Sequence, residues 1–449
     1  MALKGTKGHL RKLSDLFLFV FLHKYMRKFR RTYIVLIYLL LPVFLIGQQS
    51  IKSKLELIKG LTVKEIKNSE FLECFEIMVE QPIDHFNPTS KTFSQQVILG
   101  FNNTQAPVAM FTEGYALGKI AKPVFIRDCN VIDIEHRYFG KSKPDSLNWN
   151  FLTIKQAVYD LHHIRELLGK VFKGKWLTTG ASKSGQTAIA YKMFFPEEAD
   201  ATIAYVTPIK NEINDSRITE YLKSELNTEC GKKVKKFQVF AFRNKEMLMK
   251  EFEKYVQDKK YTFNKIGTEK AFEYILLEYP FAFFQNCFDC KLIPDTNSSP
   301  QKIIEEIVSV VPPKFYSDGF SVKLEPSFYM FYHELGYYEY DLSDFEKWLS
   351  SDNYSNAVFV PDSSASTFDN TYLNSINKFI NDPKTSKIIF VYGEHDPYTG
   401  AQPILKSNKC MKVIVKGGCH KSRIENLSDS EKQEVFKQLS TWLKWEIGN

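Results

Sequence analysis

Long apolar runs are scarce in this 449-residue sequence, and so is histidine, with nine in all and three after residue 182. No tract of low complexity and no internal repeat interrupts it, so fibrous and repeat architectures are excluded. A basic body is also lacking. Nine of the 60 Lys and Arg and one of the 52 Asp and Glu fall within residues 1–47, which leaves 51 of each in the remainder. The net charge of +8 therefore belongs to the N-terminus, and the neutral body offers no footprint for nucleic acid. No histidine pair stands at ligand spacing and Cys287-x-x-Cys290 has no second CxxC, which argues against a metal site. The remaining composition, 44% hydrophobic and 25% charged, is that of a globular protein.

The one pronounced apolar run follows the basic segment, in "MRKFRRTYIVLIYLLLPVFLIGQQS" (residues 26–50). From Tyr33 to Ile46 it is shorter than the roughly 20 residues a spanning helix needs, and Pro42 interrupts it. The pattern is that of an export signal with cleavage near residues 47–49, behind a basic extension, and Met26 is an alternative start. Uncleaved, the segment is an anchor, the only membrane contact expected. No cysteine follows it, so no lipoprotein is expected. An exported protein should pair some of Cys74, Cys129, Cys230, Cys287, Cys290, Cys410 and Cys419; seven leaves at least one unpaired within the chain, and the pairing is open.

Short β-branched runs bounded by turn residues recur as buried strands do: "SQQVILGF", "APVAMFTEG", "CNVIDIEHR", "KWLTTGAS", "DATIAYVTPI", "SKIIFVYGEHD" and "CMKVIVKGG". Helical stretches such as "TIKQAVYDLHHIRELLGKVF" and "QTAIAYKMFF" alternate with them. That alternation predicts an α/β fold with a mostly parallel sheet and helices on both faces. It stops after Ile209. Residues 210–365 are charged and aromatic, with helical periodicity around 244–259 and in "TEKAFEYILLEY". They read as a helical cap inserted between a first sheet segment (50–209) and a second (366–449). Aromatic clusters at 278–288 and 326–340 line a pocket or form the insertion's own core.

The stretch "KWLTTGASKSGQTAIAY" (residues 175–191) places a small-residue turn between a strand and a helix. Read from Gly180 to Thr187 it misses a phosphate-binding loop by one residue, because Gln186 stands where a lysine must meet the phosphates. Read as Gly180-Ala181-Ser182-Lys183-Ser184 it misses a G-x-S-x-G nucleophile elbow by one residue, with serine for the last glycine. The rest of the chain favours the elbow. A serine hydroxyl needs a histidine to take its proton and an acid to orient that histidine. In an α/β-hydrolase these follow in the order Ser, acid, His, each just past a strand. Asp396 ends "KIIFVYGEHD" and His420 follows "KVIVKGG", in that order. His395 precedes the acid and reads as structural. An oxyanion would be held by two backbone N–H groups, those of Lys183 and Tyr115. Gly114 in "FTEGYALG" allows the close approach. Glu113 beside it meets either a substrate α-amine or a structural partner such as Arg137.

These residues carry a resemblance. "EQPIDHFN", "FTEGYALG", "IDIEHRYFGKSKP", "FLTIKQAVYDLHHI", the elbow stretch on to "ATIAYVTPI", "EYPFAFFQ", "YHELGYYEYDL", "VYGEHDPYTG" and "GGCHKSRI" resemble, in order from about Phe71 onward, the secreted bacterial prolyl tri/tetrapeptidyl aminopeptidases. Those serine peptidases are distantly similar to lysosomal Pro-X carboxypeptidase and dipeptidyl peptidase II. The resemblance implies an α/β-hydrolase fold with a helical cap, exopeptidase action on peptide N-termini, no cofactor, and the triad Ser182, Asp396 and His420. It also implies that Glu113 binds the substrate amine, to which Glu334 of "HELGYY" is added as a second candidate. Three positions depart from the pattern: Ser184 replaces a glycine, and Phe284 and Asn286 stand where the family tends to have tryptophans. An esterase on the same triad and a non-catalytic binding protein on a degenerate scaffold are the rival readings. Substrate specificity and oligomeric state are not legible.

Overall fold

The computed structural model describes residues 50–361 and 367–448; the export signal expected over residues 1–49 lies outside them. The chain divides into a short N-terminal unit ending at Leu57 and a large unit from Ile58 onward. In the first, Ile51–Glu56 (α1) is a helix begun by Ser50, whose hydroxyl accepts the Ser53 N–H. Among the described residues no helix is long and apolar enough to cross a membrane.

The large unit is built on nine strands: β1 (Leu61–Ile66), β2 (Glu73–Pro82), β3 (Thr92–Phe101), β4 (Val108–Thr112), β5 (Asn130–Ile134), β6 (Trp176–Ala181), β7 (Ala201–Tyr205), β8 (Ile388–Gly393) and β9 (Met411–Val415). They form one sheet in the order β1-β2-β3-β5-β4-β6-β7-β8-β9. The pairs β1–β2, β2–β3 and β3–β5 are antiparallel, and every later pair is parallel. All residues of β5, β7 and β8 are buried. Both faces of the sheet's middle are thus covered, as continuous apolar runs require. Those seven later strands match the expected runs. The structure adds β1 and β2, neither of which forms a continuous apolar run. In β2 the buried Phe75, Ile77 and Val79 alternate with Glu76 and Met78, and edge strand β1 carries Lys64 and Glu65. Charges of that kind blunt a sheet edge.

Helices α2 (Ile154–Leu168) and α3 (Lys183–Phe194) follow β5 and β6. Thr153 begins α2 by accepting the Gln156 N–H. Between β7 and β8 the chain leaves the sheet for α4 (Ser216–Leu226), α5 (Glu229–Arg243), α6 (Lys245–Asp258), α7 (Thr268–Gln285), α8 (Pro300–Val310) and α9 (Asp318–Met330), then returns through α10 (Thr371–Ile380). The last helix, α11 (Asp429–Leu443), sets Val435, Leu439 and Leu443 against Val131, Leu177, Ile203 and Ile389 of the sheet. Burying each such side chain contributes about 1.5–3 kcal/mol.

The inserted helices have a core of their own, including Phe237, Phe242, Phe252, Phe272, Ile275 and Ile303. Its central helix, α7, contains Pro280. Proline has no N–H to give the carbonyl four residues back. That carbonyl, Leu276 O, accepts instead from Gln238 Nε2 of α5 at 2.8 Å, in a buried position. A Gln238→Leu substitution leaves the carbonyl unpaired and is expected to lower stability by about 1–3 kcal/mol. The shift of the urea midpoint against wild type checks this.

Candidate active site

The carboxyl ends of β6, β8 and β9 bring the singled-out side chains to one edge of the sheet. Ser182 forms the turn between β6 and α3 with φ +56° and ψ −122°. A non-glycine residue held there stores about 1–3 kcal/mol of strain. The turn is held because the Ser182 N–H donates to Tyr205 O at 2.8 Å and its carbonyl accepts the Gln186 N–H at 3.1 Å. Gln186 is buried and donates through Nε2 to Pro208 O at 2.7 Å. It thus has a structural task where a phosphate loop would need a cation.

Asp396 follows β8 and is fully buried. Its Oδ1 accepts the Tyr398 N–H at 3.1 Å and its Oδ2 meets His420 Nδ1 at 2.7 Å. The acceptor oxygen fixes the proton on Nδ1 and leaves Nε2 free to act as a base. Gly393 permits the approach, since a Cβ there would come within 2.4 Å of Cys419 O. The His420 N–H donates to Gln285 O at the end of α7, 2.9 Å away. Beside it a Cys287–Cys419 disulfide ties the loop to the inserted helices, and Cys230–Cys290 closes a second bridge. Cys287 and Cys290 therefore pair with different partners, while Cys74, Cys129 and Cys410 are free. His395 points to Glu225, with Nδ1 2.9 Å from Oε2, a structural pair as expected.

The loop after β4 packs against the start of α3. A Cβ on Gly114 would stand 2.8 Å from Ser184 N, so only glycine fits. The Gly114 N–H donates to Ser184 Oγ at 2.8 Å, and Ser184 Oγ–H donates to Glu113 Oε2 at 3.3 Å. The serine that departs from the G-x-S-x-G pattern thus fastens the elbow to this loop. Among the described residues the N–H groups of Lys183 and Tyr115 have no hydrogen-bond partner, and both are free to donate. Glu135, which no sequence motif singles out, accepts the Leu117, Lys141 and Ser142 N–H groups and shapes the same loop.

Beneath the elbow lies a buried charge cluster. Lys183 Nζ donates to Gly114 O at 2.6 Å and lies over the Tyr115 and Phe139 rings. Burial pulls its ammonium down while the charges of Glu334 and Glu113 hold it up. Burial likewise raises Glu113 and Glu334, and Lys183 opposes it in both. Glu334 accepts the Ile154 N–H at the start of α2, at 2.5 Å, a favourable place for a carboxylate. Arg137, one partner considered for Glu113, pairs with Asp160 instead. Its Nε and Nη2 each lie 2.7 Å from a carboxylate oxygen. Of the departures from the family pattern, Phe284 is in the inserted core. Asn286 ends α7, and its Nδ2 donates to Ala282 O at 3.0 Å. Among the described residues no group of His, Cys, Asp and Glu is arranged to hold a metal ion.

Strand order, crossovers and the strained serine turn define an α/β-hydrolase, as expected. The model of the PS-10 peptidase S37 family matches residues 47–442, and the chain belongs to that family, which makes it a serine peptidase. It is 27% identical over 409 residues to a prolyl tri/tetrapeptidyl aminopeptidase of Streptomyces mobaraensis, covering 88% of this chain and 85% of that one. A putative serine protease of Caenorhabditis elegans, F56F10.1, is 27% identical over 154 residues, 30% of this chain and 28% of that one. Among solved structures, proline iminopeptidase of Mycobacterium smegmatis is similar with a TM-score of 0.39 and 12% identity, covering 81% of this chain and 96% of that one.

Two outcomes are expected at this site. Ser184→Gly removes both bonds to the Gly114 loop and should lower kcat about 10-fold with little change in KM, a fraction of the 10²–10³ a whole oxyanion donor contributes; steady-state kinetics on one chromogenic peptide checks it. Opening the Cys287–Cys419 bridge with serines at both positions releases a closure of 132 residues. Loop-closure entropy then predicts a loss of about 4–5 kcal/mol, read by denaturant unfolding.

Proposed function

We propose that this chain is an exported serine exopeptidase that releases short peptides from peptide N-termini, with a preference for proline at the cleavage position. His420 Nε2 removes the Ser182 hydroxyl proton as Oγ bonds to the scissile carbonyl carbon. The tetrahedral oxyanion rests on the N–H groups of Lys183 and Tyr115. As the C–N bond breaks, the proton on His420 passes to the leaving amine, and an acyl-enzyme remains on Ser182. Water, deprotonated by the same histidine, then releases the peptide and restores the serine. Asp396 keeps His420 in the useful tautomer and stabilises its protonated form. The observation that carries this reading is the 2.7 Å contact between His420 Nδ1 and Asp396 Oδ2, made past the ends of β8 and β9 in the order the mechanism requires.

The substrate class is supported by the printed name of the Streptomyces relative. Export is supported by the basic and apolar segment before residue 47 and by two disulfides, which persist in oxidising compartments. On this reading the signal is removed near residues 47–49. N-terminal sequencing of the exported protein should then begin there, not at Met1 or Met26.

Ser182→Ala is expected to abolish both peptide cleavage and labelling by a fluorophosphonate probe. Asp396→Asn should retain the fold and lower kcat by roughly 10⁴, the scale of losing the correct tautomer. A probe adduct mapped by mass spectrometry to a residue other than Ser182 would contradict the assignment.

A further inference from the structure

The buried Lys183 side chain performs no step of the mechanism above, which uses its backbone N–H alone. Its Nζ donates to Gly114 O at 2.6 Å. Among the described residues that carbonyl is its one hydrogen-bond acceptor, whereas Lys192 and Lys210, buried as well, each donate to two. The ammonium stands 5.4 Å from the centre of the Tyr115 ring and 5.3 Å from that of Phe139, so two aromatic faces add to its attraction. A buried cation needs an acceptor in place of water, and this one spends its charge on a single peptide unit.

That unit is the one that ends in the Tyr115 N–H. A trans peptide is planar, with its C=O and N–H on opposite sides, and among the described residues no peptide is cis. Whatever fixes the Gly114 carbonyl therefore fixes the Tyr115 N–H. The neighbouring groups are already held. The Glu113 N–H donates to Ile134 O at 3.2 Å, the Gly114 N–H to Ser184 Oγ at 2.8 Å, and the His136 N–H to Tyr115 O at 3.2 Å. The unit between them turns on a glycine, the residue that resists reversal least. A Cβ at Gly114 would come within 3.0 Å of Lys183 Cγ, so no stiffer residue can take its place. Reversal would carry the carbonyl off the ammonium and leave the cation buried without an acceptor.

We infer that the Lys183 side chain is a positioning residue for the oxyanion site: by holding the Gly114 carbonyl it sets the Gly114–Tyr115 peptide plane and keeps the Tyr115 N–H turned away from Nζ and available to the oxyanion. The inference rests on the exopeptidase reading above. Lys183 then serves both donors, one with its own N–H and the other through a peptide plane. Its charge also polarises the Gly114–Tyr115 amide, which makes that N–H a better donor. The groups facing the ammonium are Glu113 and the Tyr115 phenol in the loop after β4, His136 after β5 and Glu334 after α9. Burial pulls the ammonium down to about 7 against the support of both carboxylates. Burial also pushes the Tyr115 phenol up, and burial with the Lys183 charge holds the His136 ring well below its usual range.

The test compares Lys183→Met, similar in length and uncharged, with wild type on Ala-Ala-Pro methyl ester and on the thionoester with sulfur in place of the scissile carbonyl oxygen. Sulfur accepts hydrogen bonds weakly, so the ratio of kcat/KM between the two esters reads the oxyanion donors. Lys183→Met should lower kcat on the ester about 100-fold, the scale of one donor, with KM little changed, and the ester-to-thionoester ratio should fall with it. Equal losses on both esters would make the side chain purely structural and overturn the inference, as would a wild-type kcat in the variant. If Lys183→Met does not fold, because Glu113 and Glu334 are left without a cation, the wild-type ratio is followed from about pH 5 to 9. The ionisation of His420 is common to both esters and cancels. The ratio should be highest while Lys183 is protonated and fall several-fold as pH rises through about 7; a flat ratio would overturn the inference. Absence of turnover on either ester, with no fluorophosphonate label at Ser182 in wild type, marks failure of the peptidase reading itself.

Discussion

The turn at Ser182 is the constraint on which the rest of the site depends. A β-carbon-bearing residue at φ +56° stays there only when its surroundings hold it, and here they do so from three sides. Tyr205 O takes the Ser182 N–H from β7, Gln186 fastens the first turn of α3 to Pro208 O, and Thr112 Oγ1 of β4 donates to Ser184 O at 2.9 Å. Because the turn is fixed, the N–H of Lys183 stands at the helix start with no hydrogen-bond partner among the described residues. Because Gly114 has no side chain, the neighbouring loop can come close enough for Tyr115 to offer a second N–H. On the proposed mechanism His420, carried past β9, needs a defined tautomer, and its contact with Asp396 gives it one.

The inserted helices are joined to this machinery at its histidine. A backbone hydrogen bond and a disulfide at adjacent residues connect the end of α7 to the His420 loop, and the Tyr221 hydroxyl adds a bond from α4 to Glu394 O at 2.7 Å. The inserted helices and His420 are consequently held in one frame.

Much of this was legible in the sequence, for identifiable reasons. Strands buried on both faces write continuous apolar runs, so β3 to β9 were visible. The alternating β2 and the charged edge strand β1 do not write such runs, and they were passed over. The serine, acid and histidine could be singled out because each follows a strand in a fixed order, and of the three Asp396 and His420 meet at 2.7 Å. The break in alternation after Ile209 marked the inserted helices. Cysteine pairing was beyond reach, because Cys287 and Cys290 share a motif yet bond to residues 132 and 60 positions away. Ser184 was visible as a departure, but its meaning lies in a loop 70 residues earlier.

The central claim is that peptide transfer passes through an ester on Ser182. Acid quenching of the enzyme within milliseconds of mixing with an activated Ala-Ala-Pro ester, followed by mass spectrometry of proteolytic fragments, addresses it most directly. The account predicts that the fragment bearing Ser182 carries the mass of one tripeptidyl group, and that the adduct decays at the rate of turnover. Turnover with no adduct on that fragment, or an adduct on another residue, would contradict it.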